Sequence, residues 1–131
     1  QIGARRFCVD KPFTVVEKPW GEEVWISFTK NYCFKRIFIK KGHRTSLQYH
    51  EEKEETNYIA SGVALFYIER KDGTQSGFYE LKSGQFVHLK PGDKHRFEAL
   101  EDLTLFEASS PQVHDVVRIE DDFNRKGTSD L

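Results

Sequence analysis

The chain has 131 residues, 37% of them hydrophobic, with 20 Lys plus Arg against 21 Asp plus Glu. That length fits one domain of ordinary size, and a formal charge of −1 excludes nucleic acid or an anionic membrane as the main partner, since both select for a strongly basic face. No apolar run approaches the roughly 18 residues of a membrane helix, and the opening stretch Gln1–Phe7 lacks the apolar centre of a signal peptide, so a cytoplasmic protein is expected.

Aromatic residues reach 14%, with 11 Phe and 5 Tyr, and no segment sustains an apolar helical period. Short runs rich in Phe, Tyr, Val and Ile recur instead, each ended by turn residues. In chain order they predict strands at Glu23–Thr29, Tyr32–Lys40, Thr45–His50, Thr56–Ser61, Val63–Arg70, Gly77–Leu81, Phe86–Lys90, His95–Leu100, Leu103–Ala108 and Val116–Glu120. The chain therefore reads as all-β, a sandwich or a barrel. Asp72-Gly73 predicts a tight type I′ hairpin joining Val63–Arg70 to Gly77–Leu81, because that turn needs positive φ at both central residues. Pro91-Gly92-Asp93 and Ser109-Ser110-Pro111 mark further turns. The polar end, 124–131, reads as a flexible tail. Cys8 and Cys33 are expected as reduced thiols, since a chain with a workable core needs no staple. The sequence has no methionine, not even at position 1, which suggests a processed piece of a longer product.

Chemistry concentrates between Gly42 and Gly62. Gln48 and His50 are two apart, so on a strand they leave the same face. Glu55 opens the next strand, and His95 follows the Lys90–Lys94 turn. Two imidazole nitrogens and two oxygens form a ligand set for a divalent metal, Zn²⁺ first and Mn²⁺, Fe²⁺ or Ni²⁺ as alternatives. The competing reading makes Gln48 and His50 ordinary polar residues of a solvated strand and Glu55 one carboxylate of the Glu51–Glu55 run.

Gly42, Gln48, His50, Glu55 and Gly62 resemble the first cupin motif, with Gln48 where many cupins have a histidine. Gly84, Gly92 and His95 resemble the second, with Lys90 replacing its proline and Ala99 its asparagine. Within cupins the chain is similar to the cupin domain of type II phosphomannose isomerases. Ser46-Leu47-Gln48-Tyr49-His50, Lys18-Pro19-Trp20-Gly21, Lys35-Arg36-Ile37 and Val117-Arg118-Ile119-Glu120-Asp121 match its segments. The resemblance implies a double-stranded β-helix barrel, jelly-roll-like, over 18–123, after an N-terminal arm at 1–17. It also implies a homodimer with a divalent metal in the barrel mouth, and a sugar phosphate as the small-molecule partner. Two departures stand out: Glu51-Glu52 replaces the family's histidine-rich turn, and Thr56-Asn57 its His-Trp.

The activity so implied is interconversion of mannose 6-phosphate and fructose 6-phosphate, with a proton moved between C1 and C2 through an enediolate. The alternatives are a cupin that binds a sugar or nucleotide sugar without turnover, and an Fe²⁺-dependent cupin oxygenase. The candidate catalytic residues are His88, a proton shuttle with a fitting unperturbed pKa, and Arg96, directly after the ligand His95. Arg44, Lys35 and Lys90 are the candidate anchors for the phosphate. Arg36 competes with Lys35, because strand neighbours face opposite sides. Trp20 and Trp25 read as core or dimer-seam aromatics, and Cys33 as structural.

Overall fold

The structure, a computed structural model, describes residues 14–125 together with 127 and 128. Twelve strands succeed one another: β1 Thr14–Lys18, β2 Gly21–Phe28, β3 Cys33–Ile39, β4 Leu47–His50, β5 Glu55–Ser61, β6 Val63–Glu69, β7 Gly77–Lys82, β8 Phe86–Leu89, β9 Lys94–Ala99, β10 Leu103–Ser109, β11 Val116–Glu120 and β12 Gly127–Thr128. They form two six-stranded sheets in the orders β1-β2-β3-β10-β5-β8 and β12-β11-β4-β9-β6-β7. Every pairing is antiparallel, so the expected all-β class holds. Among the described residues no helix is long and apolar enough to cross a membrane.

Two strands escape the sequence reading. Thr14–Lys18 pairs along β2, which draws residues 14–17 out of the expected arm and into the sheet. Gly127–Thr128 pairs with Val117 and Arg118, so part of the expected tail is a sheet edge. The rest of the arm, with Cys8, lies outside the described residues. Both segments are short and lack the alternation that marks a strand, and long-range pairing supplies what local pattern does not.

The hairpin between β6 and β7 is present, with Ile68 opposite Gly77, but its turn differs from the expected type. Gly73 alone of the Asp72-Gly73 pair has positive φ, at 81°, so the I′ geometry is absent. The backbone N–H of Gly73 instead donates to the Arg70 carbonyl at 2.9 Å, and Asp72 Oδ1 caps the N–H of Thr74 at 2.9 Å. This is a longer loop opened by a turn with glycine at its last position.

On β3, β5 and β10 the inward row passes from apolar to polar or charged residues along the barrel. Ile37 pairs with Leu105, and Leu105 with Ile59, to give an apolar rung. One step along, Lys35 pairs with Glu107 and Glu107 with Asn57, and all three are buried. Because inward positions recur every second residue, the switch occurs on all three strands at the same height. The apolar end packs around Phe66, Ile39, Leu103 and Phe97, while the charged end leaves a cavity between the sheets. Gly62, at φ 91°, makes the β5–β6 connection with its Cα against the carbonyl of Asp102, where a Cβ would collide.

Candidate metal centre

Three chemical groups converge in the cavity from both sheets. Glu55 comes from β5 of the first sheet, His50 and His95 from β4 and β9 of the second. Each is at most 6% exposed, and one ligand atom from each lies within 4.8 Å of the others. Glu55 Oε1 sits 3.4 Å from His50 Nε2 and 3.5 Å from His95 Nε2.

The outer nitrogens of the two rings decide what faces inward. His95 Nδ1 lies 2.9 Å from the carbonyl oxygen of Asp93, which only accepts, so Nδ1 carries the proton. His50 Nδ1 lies 2.8 Å from Asp115 Oδ1. The Asp115 carboxyl is held below its usual range: burial opposes this, but the N–H groups of Glu52 and Lys53 and the His50 ring outweigh it. It therefore accepts as a carboxylate, and His50 too is protonated on Nδ1. A neutral ring so oriented aims a lone pair from Nε2. Burial foremost, aided by Lys53 and His95, lowers the His50 pKa to about 3, so that ring is neutral.

Glu55 is ionised as well, its pKa lowered to about 2. Burial would raise it, but Lys53 and then His95 outweigh that cost. Its Oε1 is buried without a hydrogen-bond partner among the described residues. This buried anionic oxygen thus faces the lone pair of His50 Nε2 and, at 3.5 Å, His95 Nε2, an arrangement that a bound cation relieves. The donor set, two imidazoles and a carboxylate with oriented outer partners, fits a divalent transition metal.

Gln48 lines the same cavity. It pairs with His95 across β4 and β9, and its Oε1 accepts a hydrogen bond from Ser46 Oγ at 2.7 Å. The structure thus places Gln48 in the same cavity as the His50, Glu55 and His95 cluster.

Of the expected anchors and catalytic residues, Lys35 alone lines the cavity. It is 5% exposed, bonded to Glu23 Oε1 at 3.2 Å, and lies 4.4 Å from the centre of the Trp25 ring. The other four take outward or turn positions. On β9 His95 and Phe97 are buried, so Arg96 faces out and donates from Nε to the Thr45 carbonyl at 2.9 Å. On β8 Leu89 is buried and Val87 packs on the core, which turns His88 outward between Thr56 Oγ1 at 3.0 Å and Glu54 Oε2 at 3.0 Å. Arg44 is clamped by Asp122 through contacts of 2.7 and 2.8 Å, and Lys90 is exposed at the β8–β9 turn. The alternation of strand faces is the common reason for Arg96 and His88: a neighbour of an inward residue points out.

The cavity also holds charged residues that the sequence reading missed. Lys53 is 4% exposed and Glu107 6%, with Lys53 Nζ donating to Glu107 Oε2 at 2.8 Å. Burial would lower the Lys53 pKa, but Glu107 and then Glu55 carry it upward, so it is charged. Glu107 was legible, since Leu103, Leu105, Glu107 and Ser109 share one face of β10. Lys53 was not, because it sits in a run of glutamates that looks solvated.

Fold and site together define a cupin with a buried two-histidine, one-carboxylate cluster. The chain belongs to the mannose-6-phosphate isomerase C-terminal family, whose model matches residues 9–122. It is 30% identical over 115 residues to mannose-1-phosphate guanylyltransferase of Salmonella montevideo, a match covering 84% of this chain and 23% of that protein. The chain thus spans less than a quarter of that relative's length. Among solved structures, an RmlC-like cupin from Shewanella frigidimarina superposes with a TM-score of 0.69 at 15% identity, covering 86% of this chain and 96% of its own. KdgF from Halomonas sp. gives 0.68 at 16%, covering 82% and 95%. A mutant oxalate decarboxylase from Bacillus subtilis gives 0.71 at 16%, covering 81% and 30%. These likenesses speak for the fold.

Proposed function

We propose that this domain interconverts mannose 6-phosphate and fructose 6-phosphate with a divalent metal held by His50, Glu55, His95 and Gln48. The observation that carries the reading is the unpartnered Glu55 Oε1 facing two imidazole nitrogens inside a domain of this family. A bound divalent cation supplies Lewis acidity toward adjacent sugar oxygens.

The remaining work falls to side chains of the cavity. Glu107 and Glu23 are the cavity carboxylates outside the ligand set. Glu107 is the nearer to Lys53 and the metal ligands in sheet register, and as base it takes the proton from one sugar carbon and returns it to the next. Lys53, at 2.8 Å from Glu107, fixes that carboxylate in place and offers a charged hydrogen bond to developing negative charge on the substrate. Asn57 donates to Glu55 Oε2 at 3.2 Å and holds the other carboxylate so that Oε1 stays aimed inward. Glu107 replaces His88 as the candidate proton carrier, because His88 lies on the outer face.

Incubating the Zn²⁺-loaded protein with mannose 6-phosphate in D₂O tests the reading. Ketose formation with deuterium at its C1, and deuterium at C2 of the mannose 6-phosphate re-formed by the back reaction, is expected, and the absence of ketose with every candidate metal would overturn it. A second reading, sugar binding without turnover, is favoured by one feature: Glu107 and Glu55 are each already engaged, by Lys53 and Asn57. Saturable binding of mannose 6-phosphate in calorimetry, with no product after long incubation, decides for it.

A further inference from the structure

Most charges of the cavity are matched. Lys35 meets Glu23 at 3.2 Å, Lys53 meets Glu107 at 2.8 Å, and Arg125 meets Asp121 at 2.8 Å. Arg118 and Lys18 line the same cavity and have no ion pair or side-chain hydrogen bond among the described residues. Arg118 Nε is buried with no acceptor, a state that a bound anion relieves.

The two cations come from opposite sheets. Arg118 is on β11, where it pairs with Gln48, and Gln48 pairs with His95. Directly opposite residues share a face, so Arg118 lies on the same inner rung as two proposed metal ligands. Two strand spacings put its backbone about 10 Å from that of His95. Lys18 ends β1 and shares a face with Val16, which pairs with Glu23 of the cavity wall. Burial foremost depresses the Lys18 ammonium, and the nearby Arg118, Lys35 and Arg125 add to this against Glu23, as expected where positive charge is in excess.

We propose that Arg118 and Lys18 form an oxyanion subsite that takes the dianionic phosphate of the substrate at the far end of the rung from His95. The proposal deepens the isomerase reading and rests on it for the identity of the substrate as a phosphate ester. A planar guanidinium offers two parallel donors to phosphate oxygens, and the lysine adds a point charge. The subsite explains how one end of a sugar is anchored while the other reaches the metal ligands.

The test is calorimetric titration of inorganic phosphate into chelator-treated protein, for wild type, Arg118→Gln, Lys18→Gln, Arg44→Gln and His50→Ala, each checked for folding by circular dichroism. One saturable site is expected in wild type, weakened about 10-fold or more in Arg118→Gln and in Lys18→Gln, as loss of a charged hydrogen bond implies. Arg44→Gln and His50→Ala should bind as wild type does. Should Arg118→Gln fail to fold, Lys18→Gln carries the test alone. No saturable binding, or equal weakening in Arg44→Gln, overturns the proposal. Phosphate binding that depends on Arg118 in a protein without turnover leaves the subsite standing and removes the isomerase. Turnover with phosphate binding unchanged in Arg118→Gln removes the subsite and leaves the isomerase.

Discussion

Asp115 holds His50 from the far side of the ring. One oxygen accepts from His50 Nδ1 at 2.8 Å, across 65 residues of chain. The other accepts the backbone N–H groups of Glu52 and Lys53, both at 2.8 Å. One carboxylate thereby fixes the tautomer of a proposed ligand and shapes the turn that carries Lys53 into the cavity. Asp115→Ala is expected to weaken metal binding about 10- to 100-fold, the usual effect of losing an outer partner. Competition for Zn²⁺ against a calibrated chelator measures it, and affinity equal to wild type would refute the role.

His50→Ala should abolish stoichiometric metal, whereas His88→Ala should leave it intact. His50 belongs to the buried cluster, and His88 is bound on the outer face by Glu54 and Thr56. Elemental analysis of the two purified variants beside wild type decides. Equal loss in both would show the assignment of faces to be wrong.

Lys53→Met is expected to destabilise the fold by about 3–5 kcal/mol, because it strands two buried carboxylates without their cation. Adding Glu107→Gln should recover part of that loss, since a neutral amide needs no counter-charge. Chemical denaturation of the single and double variants reads both effects, and a double variant no more stable than Lys53→Met would argue against the pairing.

Acid should destabilise the metal-free protein over a wide range. The His50 pKa is lowered to about 3, by burial first, so the unfolded chain takes up a proton near pH 6.5 that the folded chain refuses. The Glu55 pKa is lowered to about 2, with Lys53 and His95 overcoming burial. In both cases the unfolded state binds more protons, so stability is full above the unfolded pKa and declines as pH falls toward the folded one. The expected decline begins near pH 6.5 and continues to about 2. His50→Asn should remove its upper part, and urea melts taken at intervals of pH would show it. A wild-type profile flat from pH 7 to 5 would contradict the burial of a neutral His50.

Asp93 anchors the β8–β9 turn through the N–H groups of Lys90 and Lys71 and the Arg70 guanidinium, at 2.9, 3.1 and 2.8 Å. Its backbone carbonyl also holds His95. Asp93→Ala leaves buried donors unmet and should cost about 2–4 kcal/mol. Thermal and urea unfolding measure the cost, and a change under 0.5 kcal/mol, roughly that of an ordinary surface substitution, would be inconsistent with this anchoring.

Local pattern determined much of this protein by itself. Period-two runs ended by turn residues give the strands from β2 to β11, and the spacing of Gln48 and His50 puts both on one face, because strand geometry is set by neighbours in sequence. Pairing across the chain decided the rest. Thr14–Lys18 and Gly127–Thr128 become strands because partners far along the chain take up their backbone groups. Lys53 and Glu107 become a buried pair because a turn and a strand from distant segments meet. Arg44, Lys90, Arg96 and His88 had suitable chemistry for a phosphate or a proton, but strand alternation turned Arg96 and His88 out. Asp122 and the β8–β9 turn keep Arg44 and Lys90 off the cavity wall, and Arg118 and Lys18 line it instead. A side chain's charge is written in the sequence, whereas its company depends on which sheet face closes over the cavity.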